Sequence, residues 1–161
     1  MEFESYKQFW NHQAATPESA LAAVDGSANE EVVQITGKYT AQQVATGLDL
    51  NPEDTVLELG CGVGRIGREL APHCRHWTGV DISEKMISHA RERLSQFSNT
   101  DFHQLSRTSL EAVADDSLSK AYSVAVLCHM DKEDLYLYLR ELHRTVRPGG
   151  LVYLETVSYT H

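Results

Sequence analysis

The chain has 161 residues, of which 42% are hydrophobic and 23% are charged, and its formal net charge is −9. This length and composition predict one globular domain, and the acidic charge disfavours a nucleic-acid partner, whose phosphates bind clustered lysine and arginine. No apolar run reaches the roughly 20 residues that span a bilayer, so we expect no membrane segment. The polar and aromatic start predicts no signal peptide, and three irregularly spaced cysteines indicate free thiols in a cytoplasmic protein.

Residues 1–50 are predicted to be helical. Four aromatic residues near the start recur at helical spacing and form one face: Phe3, Tyr6, Phe9 and Trp10. This face has two interpretations, ordinary packing or a lid that excludes water from a site. A second helix is predicted from residue 29 to about 48, with an interruption at Gly37. We therefore divide the chain into a helical lid or cap, residues 1–50, and a core, residues 51–161.

Strands and helices alternate from residue 51 onward. Strands are predicted over residues 55–59, 77–81, 101–105, 120–127 and 151–157, with helices over 64–70, 84–97 and 132–146 and a turn over 147–150. This alternation predicts an α/β fold, Rossmann-like and doubly wound, with a mostly parallel sheet and helices on both faces. Ligands of such sheets bind beyond the carboxyl ends of the strands, where the strand order reverses.

The segment after the first strand, Val56–Gly67, is the most informative in the chain. It predicts a buried strand that stops at Gly60, turns through closely spaced glycines and enters a helix. Glycine lets the backbone come very close to a ligand, because it lacks a Cβ and tolerates positive φ. Glu58 lies just before the turn, and Asp81 follows about 20 residues after it. A glycine loop between two carboxylates suits a ligand that carries ribose hydroxyls and a positive charge.

Two types of ligand compete for this loop. Residues 62–67 match G-x-G-x-x-G, the fingerprint of dinucleotide-binding enzymes such as nicotinamide-dependent dehydrogenases. A dinucleotide loop, however, places its first glycine directly after the strand, so that the pyrophosphate reaches the helix N-terminus. Here Gly60 and Cys61 intervene, and Glu58 would place a negative charge beside the pyrophosphate. The same carboxylate would attract a sulfonium or an α-amino group.

Four segments between Thr55 and Glu155 resemble, in order, motifs of the class I S-adenosylmethionine-dependent methyltransferases. The segments are Glu58–Gly64, Gly79–Ser83 with Met86, Val126–Met130 and Leu139–Gly150. The resemblance implies an enzyme that transfers a methyl group from S-adenosylmethionine to a small-molecule acceptor by direct in-line displacement, leaves S-adenosylhomocysteine and needs no metal. The family's sheet has seven strands, so strands 6 and 7 are expected to be missing and the chain to be a fragment. The edge strand left open invites self-pairing, which would give a homodimer.

The resemblance also implies roles for individual residues. Cofactor-binding positions are Glu58, Gly60, Cys61, Gly62, Gly64, Asp81, Ile82, Met86, Ser106, Arg107 and Thr108. Asp81 would accept hydrogen bonds from both ribose hydroxyls, and Ile82 would press against the adenine. Residues 106–108 stand where the family often has Gly-Asp, so adenine contacts there would come from backbone or hydroxyl groups.

Beyond strand 4, His129 is a candidate general base, because its ordinary pKa of about 6.5 suits proton transfer. The alternative is a histidine that shapes the pocket. Trp10 and Tyr39 are candidates for the lid and the substrate cleft, whereas Tyr138 is expected on the surface of the last helix. The departures at Ser106 and Ser119 leave open a second function, a protein that binds the cofactor without transferring a methyl group.

Overall fold

The computed structural model describes residues 3–155, with side chains from residue 4 onward. Its strands are β1 (Thr55–Leu59), β2 (His76–Asp81), β3 (Thr100–Gln104), β4 (Leu118–Val124) and β5 (Val146–Glu155). They form one sheet in the order β3-β2-β1-β4-β5, and every neighbouring pair is parallel. The predicted parallel sheet is therefore confirmed.

Helices precede and connect these strands. They are α1 (Phe3–Gln13), α2 (Pro17–Asp25), α3 (Glu30–Leu48), α4 (Gly67–Leu70), α5 (Glu84–Arg93) and α6 (Lys132–Thr145). Side chains cap the N-termini of two of these helices. At the start of α5 the Ser83 hydroxyl accepts from the Met86 N–H, and at the start of α6 the Asp131 carboxylate accepts from the Asp134 N–H. Within residues 3–155, no helix combines the length and the hydropathy needed to cross a bilayer.

The core lies on both faces of the sheet, because neighbouring residues of a strand point to opposite sides. Val56 belongs to a cluster with Trp77 and residues of α3 and α5. The next residue, Leu57, packs on the other side with Leu142 of α6. A third cluster, which includes Val33 and Met86, joins the N-terminal helices to the sheet domain. Helices on both faces confirm the doubly wound arrangement.

The chain order of the strands creates the reversal that positions the site. From β1 the chain builds outward through β2 to β3, then returns to place β4 on the other side of β1. The loops after β1 and β4 therefore diverge and leave a crevice at the carboxyl ends of these strands. The glycine segment enters this crevice, as the sequence predicts.

Two local predictions differ from the structure, and part of a third is not tested. Helix α3 runs through Gly37 without interruption, and a Cβ at Gly37 would lie 3.0 Å from the Arg65 carbonyl oxygen, so this glycine allows close packing. The predicted turn over residues 147–150 belongs to β5, where the register with β4 shifts between Leu118 and Lys120 and Gly149 takes a φ of 79°. Residues 156 and 157 of the predicted last strand lie outside the described residues.

Candidate functional site

A cavity of about 180 Å³ lies at the carboxyl ends of β1, β2 and β4. Segments far apart in sequence contribute to its wall: Tyr6 and Trp10 of α1, Val24 of α2, Gly60–Gly62 after β1, Asp81 and Ile82 at the end of β2, Val124–Val126 at the end of β4, and His129, Asp134 and Tyr138 beyond it. The cavity thus occupies the crevice at which the strand order reverses, and residues of α1 and α2 form part of its wall.

Backbone hydrogen bonds fix the glycine loop against the end of β2. The N–H groups of Gly60 and Cys61 both donate to the carbonyl oxygen of Val80, at 2.8 and 3.0 Å. Gly60 has a φ of 77°, and a Cβ at this position would lie 2.4 Å from the Cγ2 of Val126. Only glycine fits both the left-handed conformation and the close approach to the segment after β4.

Asp81 ends β2, with its carboxylate held by two backbone donors. Oδ2 accepts from the Gly62 N–H and Oδ1 from the Ser83 N–H, each at 2.9 Å. Burial raises the pKa of Asp81 above its ordinary value, while these hydrogen bonds oppose the shift. Each carboxylate oxygen has more than one lone pair, so the group can also accept hydroxyl donors from a ligand in the cavity.

Glu58 is the second carboxyl of the site, and it lies at the end of a buried chain of hydrogen bonds. The Trp77 indole N–H donates to the Tyr122 hydroxyl at 3.0 Å, and that hydroxyl donates to Glu58 Oε2 at 2.6 Å. Burial raises the pKa of Glu58 to about 8, although the Tyr122 hydrogen bond and the nearby Arg65 lower it. At neutral pH Glu58 is therefore mostly protonated.

The segment after β4 and helix α1 form the opposite side of the cavity. Ala125 takes a φ of 57°, which is unusual for a residue other than glycine, and turns the chain at the end of the strand. Beyond the turn, the His129 ring meets the Trp10 ring edge-on, with centroids 5.2 Å apart. The Asp134 carboxylate accepts from the Thr108 hydroxyl at 2.8 Å. Aromatic and acidic groups therefore meet on this side of the site.

Most of the predicted site residues come together in this one cavity. Its lining includes Trp10, Glu58, Gly60, Cys61, Gly62, Asp81, Ile82, Met86, Thr108 and His129. Burial, with smaller contributions from Asp81 and Glu58, raises the pKa of the Cys61 thiol well above its ordinary value, which disfavours the reactive thiolate.

Four predicted residues do not line the cavity. Gly64 is buried where a Cβ would lie 2.6 Å from Leu94, so it allows close packing. Ser106 and Arg107 follow the end of β3, are exposed, and bond to Glu111. Tyr39 is 64% exposed on α3, because the buried face of that helix carries Val33, Gly37 and Ala41 instead.

The sequence analysis missed several lining residues. Tyr138 was expected on a helix surface, but it is 4% exposed and lines the cavity. Tyr138 lies three residues after Leu135 and four before Leu142, which places it on the buried face of α6, whereas Leu139 is 39% exposed. This helical spacing could have predicted the burial of Tyr138 from the sequence. Val24 and Arg65 also line the cavity, and no local motif marks Val24.

Comparison with known proteins identifies the family. The family model described as "Methyltransferase domain" matches residues 56–150. The chain belongs to this methyltransferase family. Its match begins at β1 and ends within β5, so it contains the glycine loop, Asp81 and His129. The four resembling segments found in the sequence lie in the same region, and the resemblance they predicted is confirmed.

Individual methyltransferases match over part of their length. A malonyl-[acyl-carrier protein] O-methyltransferase of Salmonella typhimurium is 30% identical over 146 residues, which cover 89% of this chain and 56% of that protein. A 23S rRNA (uracil-C(5))-methyltransferase of a Marinomonas species is 35% identical over 78 residues, 45% of this chain and 18% of the relative. The chain spans about half the length of the first curated relatives it matches.

A solved methyltransferase structure has the same fold. Phosphoethanolamine N-methyltransferase 1 of Haemonchus contortus, in complex with phosphoethanolamine and S-adenosylhomocysteine, superposes with a TM-score of 0.80. The superposition covers 94% of this chain and 31% of that one, at 18% identity. The likeness establishes the shared Rossmann-like fold. Among residues 3–155 of the present chain, no group of three or more His, Cys, Asp or Glu side chains is placed to hold a metal ion.

Proposed function

We propose that the chain transfers a methyl group from S-adenosylmethionine to a small-molecule acceptor and leaves S-adenosylhomocysteine. The observation that carries this proposal is the Asp81 carboxylate, fixed by the Gly62 N–H at the open end of the sheet and facing the cavity. Membership of the methyltransferase family supports the reaction class. The likeness to a structure solved with S-adenosylhomocysteine supports the choice of donor.

The residues present fit this donor. Asp81 can accept hydrogen bonds from the two ribose hydroxyls with lone pairs that Gly62 and Ser83 leave free. The glycine loop lets the backbone approach the amino-acid part of the donor. Ile82, which follows Asp81, and Leu105 supply apolar surface for the adenine. Thr108 lines the same cavity, whereas Ser106 and Arg107 lie outside it, so the proposed adenine contacts involve Thr108 rather than its two predecessors.

The acceptor is proposed to bind between α1 and the segment after β4. Trp10, Met130 and Tyr138 give this part of the cavity an apolar and aromatic wall, and Asp134 adds a carboxylate. No lysine or arginine among the described residues lines this side. We therefore propose an acceptor without a strongly anionic group near its reacting atom, in keeping with the net charge of −9, which disfavours RNA and DNA. Helix α1 would act as the lid, since it supplies Tyr6 and Trp10.

For an in-line displacement, the main contribution of the protein is to align the methyl donor with the acceptor. When bound, the donor would supply a methyl group on a positively charged sulfur, which leaves as a neutral thioether when the acceptor forms its bond to the methyl carbon. The chain holds the two partners in line, and proximity of this kind can offset roughly 7–11 kcal/mol of a reaction barrier. His129 lies at the acceptor side against Trp10 and would accept the proton of an acceptor hydroxyl or amine. Closure by α1 keeps water away from the reacting atoms.

Binding of S-adenosylhomocysteine tests the donor site directly. Asp81→Ala is expected to weaken binding, measured by isothermal titration calorimetry, by about ten- to a hundredfold, because hydrogen bonds to a charged group contribute about 1.5–3 kcal/mol. Asp101→Ala is the matched control, since Asp101 is exposed on the neighbouring strand and pairs with His76 at 3.1 Å. Equal affinity of wild type and Asp81→Ala would overturn the assignment.

Methyl incorporation then separates transfer from binding alone. Radiolabelled donor is offered with a panel of neutral and cationic aromatic or amine acceptors, and His129→Asn is compared with the wild type. If His129 is the general base, the wild type is expected to transfer the methyl group and the variant to do so at a lower rate. Donor binding with no turnover on any acceptor would favour the cofactor-binding partner protein instead.

A further inference from the structure

Arg65 is the one arginine or lysine among the described residues that lines the cavity. It directly follows the glycine loop, and its side chain is only 13% exposed. A buried guanidinium requires an anion and several acceptors, because its five N–H donors lose their water on burial. The contacts of Arg65 therefore indicate what the cavity is built to hold.

The protein itself only partly satisfies Arg65. Its Nη1 lies 3.6 Å from Asp25 Oδ1 at the end of α2, and 3.5 Å from the Thr40 hydroxyl oxygen of α3. Both distances are long for a charge-assisted hydrogen bond, which is ordinarily about 2.7–2.9 Å. The same Asp25 oxygen accepts a much closer donor, the Thr36 hydroxyl at 2.6 Å. Asp25 thus balances the charge of Arg65 and leaves most of its donors available.

Other nearby groups do not complete the pairing. Glu58 lies close enough to interact with Arg65 electrostatically, but burial raises the pKa of Glu58 to about 8 and keeps it mostly uncharged at neutral pH. Asp81 is bonded to Gly62 and Ser83 and shares no contact with Asp25 or Thr40. The cavity therefore carries two polar groups with separate partners, the Asp81 carboxylate at the end of β2 and the Arg65 guanidinium beside α2 and α3.

We infer that Arg65 binds the carboxylate of the amino-acid part of the methyl donor, and that Asp25 holds the guanidinium in place before the donor arrives. This inference rests on the proposed function. A donor that carries both ribose hydroxyls and an α-carboxylate matches these two polar groups of one cavity, a carboxylate that accepts and a guanidinium that donates. A planar guanidinium can bind a carboxylate through two parallel hydrogen bonds.

Two ligands that differ by one group provide the test. S-Adenosylhomocysteine and its decarboxylated analogue, which keeps the amine but lacks the carboxylate, are titrated calorimetrically into the full chain and into Arg65→Met. The wild type is expected to prefer the carboxylate-bearing ligand by about ten- to a hundredfold. Arg65→Met is expected to lose that preference while its affinity for the decarboxylated analogue changes less than about twofold.

Arg68→Met is the matched control, since Arg68 lies one turn away, outside this cavity, and approaches Glu30 at 3.9 Å. It should keep the full preference of the wild type. An Arg65→Met variant that loses equal affinity for both ligands would overturn the inference, as would a wild type that binds both equally. If Arg65→Met fails to fold, Arg65→Lys is used instead. A smaller preference for the carboxylate-bearing ligand than in the wild type would then support the inference, and an unchanged preference would overturn it.

Failure of the proposed function has a different signature. A folded wild type that binds neither nucleoside refutes the donor site as a whole. A wild type that binds both with one affinity leaves the proposed function standing and removes only the role of Arg65.

Discussion

Glu58→Gln should remove a pH dependence of stability that originates inside the sheet. The folded state raises the pKa of Glu58 from 4.5 to about 8, so between these values the folded chain holds a proton that the unfolded chain has released. The stabilisation linked to this proton is complete below about pH 4.5 and is lost as the pH rises through 8. Glutamine keeps the shape and can still accept the Tyr122 hydrogen bond, but it does not titrate.

The magnitude follows from linkage. One proton difference changes the free energy of unfolding by about 1.4 kcal/mol per pH unit. Between pH 5.5 and 7.5 the wild type should therefore lose about 2–3 kcal/mol relative to Glu58→Gln. Urea unfolding of both proteins at these two pH values measures the difference, and titrating histidines cancel because both chains carry them.

The control for this prediction is Glu53→Gln, because Glu53 is exposed and pairs with Arg75 at the surface. It should follow the wild type at both pH values. If the wild type and Glu58→Gln differ by the same free energy at pH 5.5 and pH 7.5, Glu58 does not carry the buried proton, and the reasoning from desolvation is refuted.

Two further substitutions test packing and charge elsewhere. Gly60→Ala should lower the free energy of unfolding by about 2–5 kcal/mol, since it adds left-handed strain and a clash with Val126. Gly149→Ala is the comparison, because Gly149 has a φ of 79° but open space around it, and it should lower the free energy of unfolding by about 1–2 kcal/mol in the same urea assay. Arg144→Leu should destabilise by about 1.5–3 kcal/mol, because it releases Glu141 and two loop carbonyls. Arg144 lowers the pKa of Glu141 to about 2, so in acid melts the wild type should lose this advantage as the pH falls from about 4.5 towards 2, and a constant difference would contradict it.

Local patterns in the sequence carried the order of the elements and the centre of the site. The glycine loop could be predicted because a strand followed by closely spaced glycines is typical of a ligand-binding turn. Asp81 could be predicted because a carboxylate at the end of the next strand lies beside that turn in a parallel sheet. The fold class followed from the alternation of strands and helices. Ile82, which follows Asp81, lines the cavity for the same reason.

Contacts between distant segments could not be predicted. The hydrogen bonds that join Trp77, Tyr122 and Glu58 connect three strands, and nothing near any of the three residues indicates the other two. The side chains of the loop after β3 could not be predicted either, because resemblance to a family motif gives a position along the chain but not the direction of a side chain. In the structure, the Arg107 side chain bonds to Glu111 at the surface and does not reach the cavity.

Both α1, residues 3–13, and α6, residues 132–145, contribute residues to the wall of the cavity. Contacts between segments so distant form late, because the intervening chain must first be ordered. During synthesis, the complete cavity can therefore form only after nearly all of the described chain has emerged and folded. A ligand that contacts both helices would stabilise only the complete assembly, so resistance to proteolysis in its presence would report on the whole molecule rather than on the glycine loop alone.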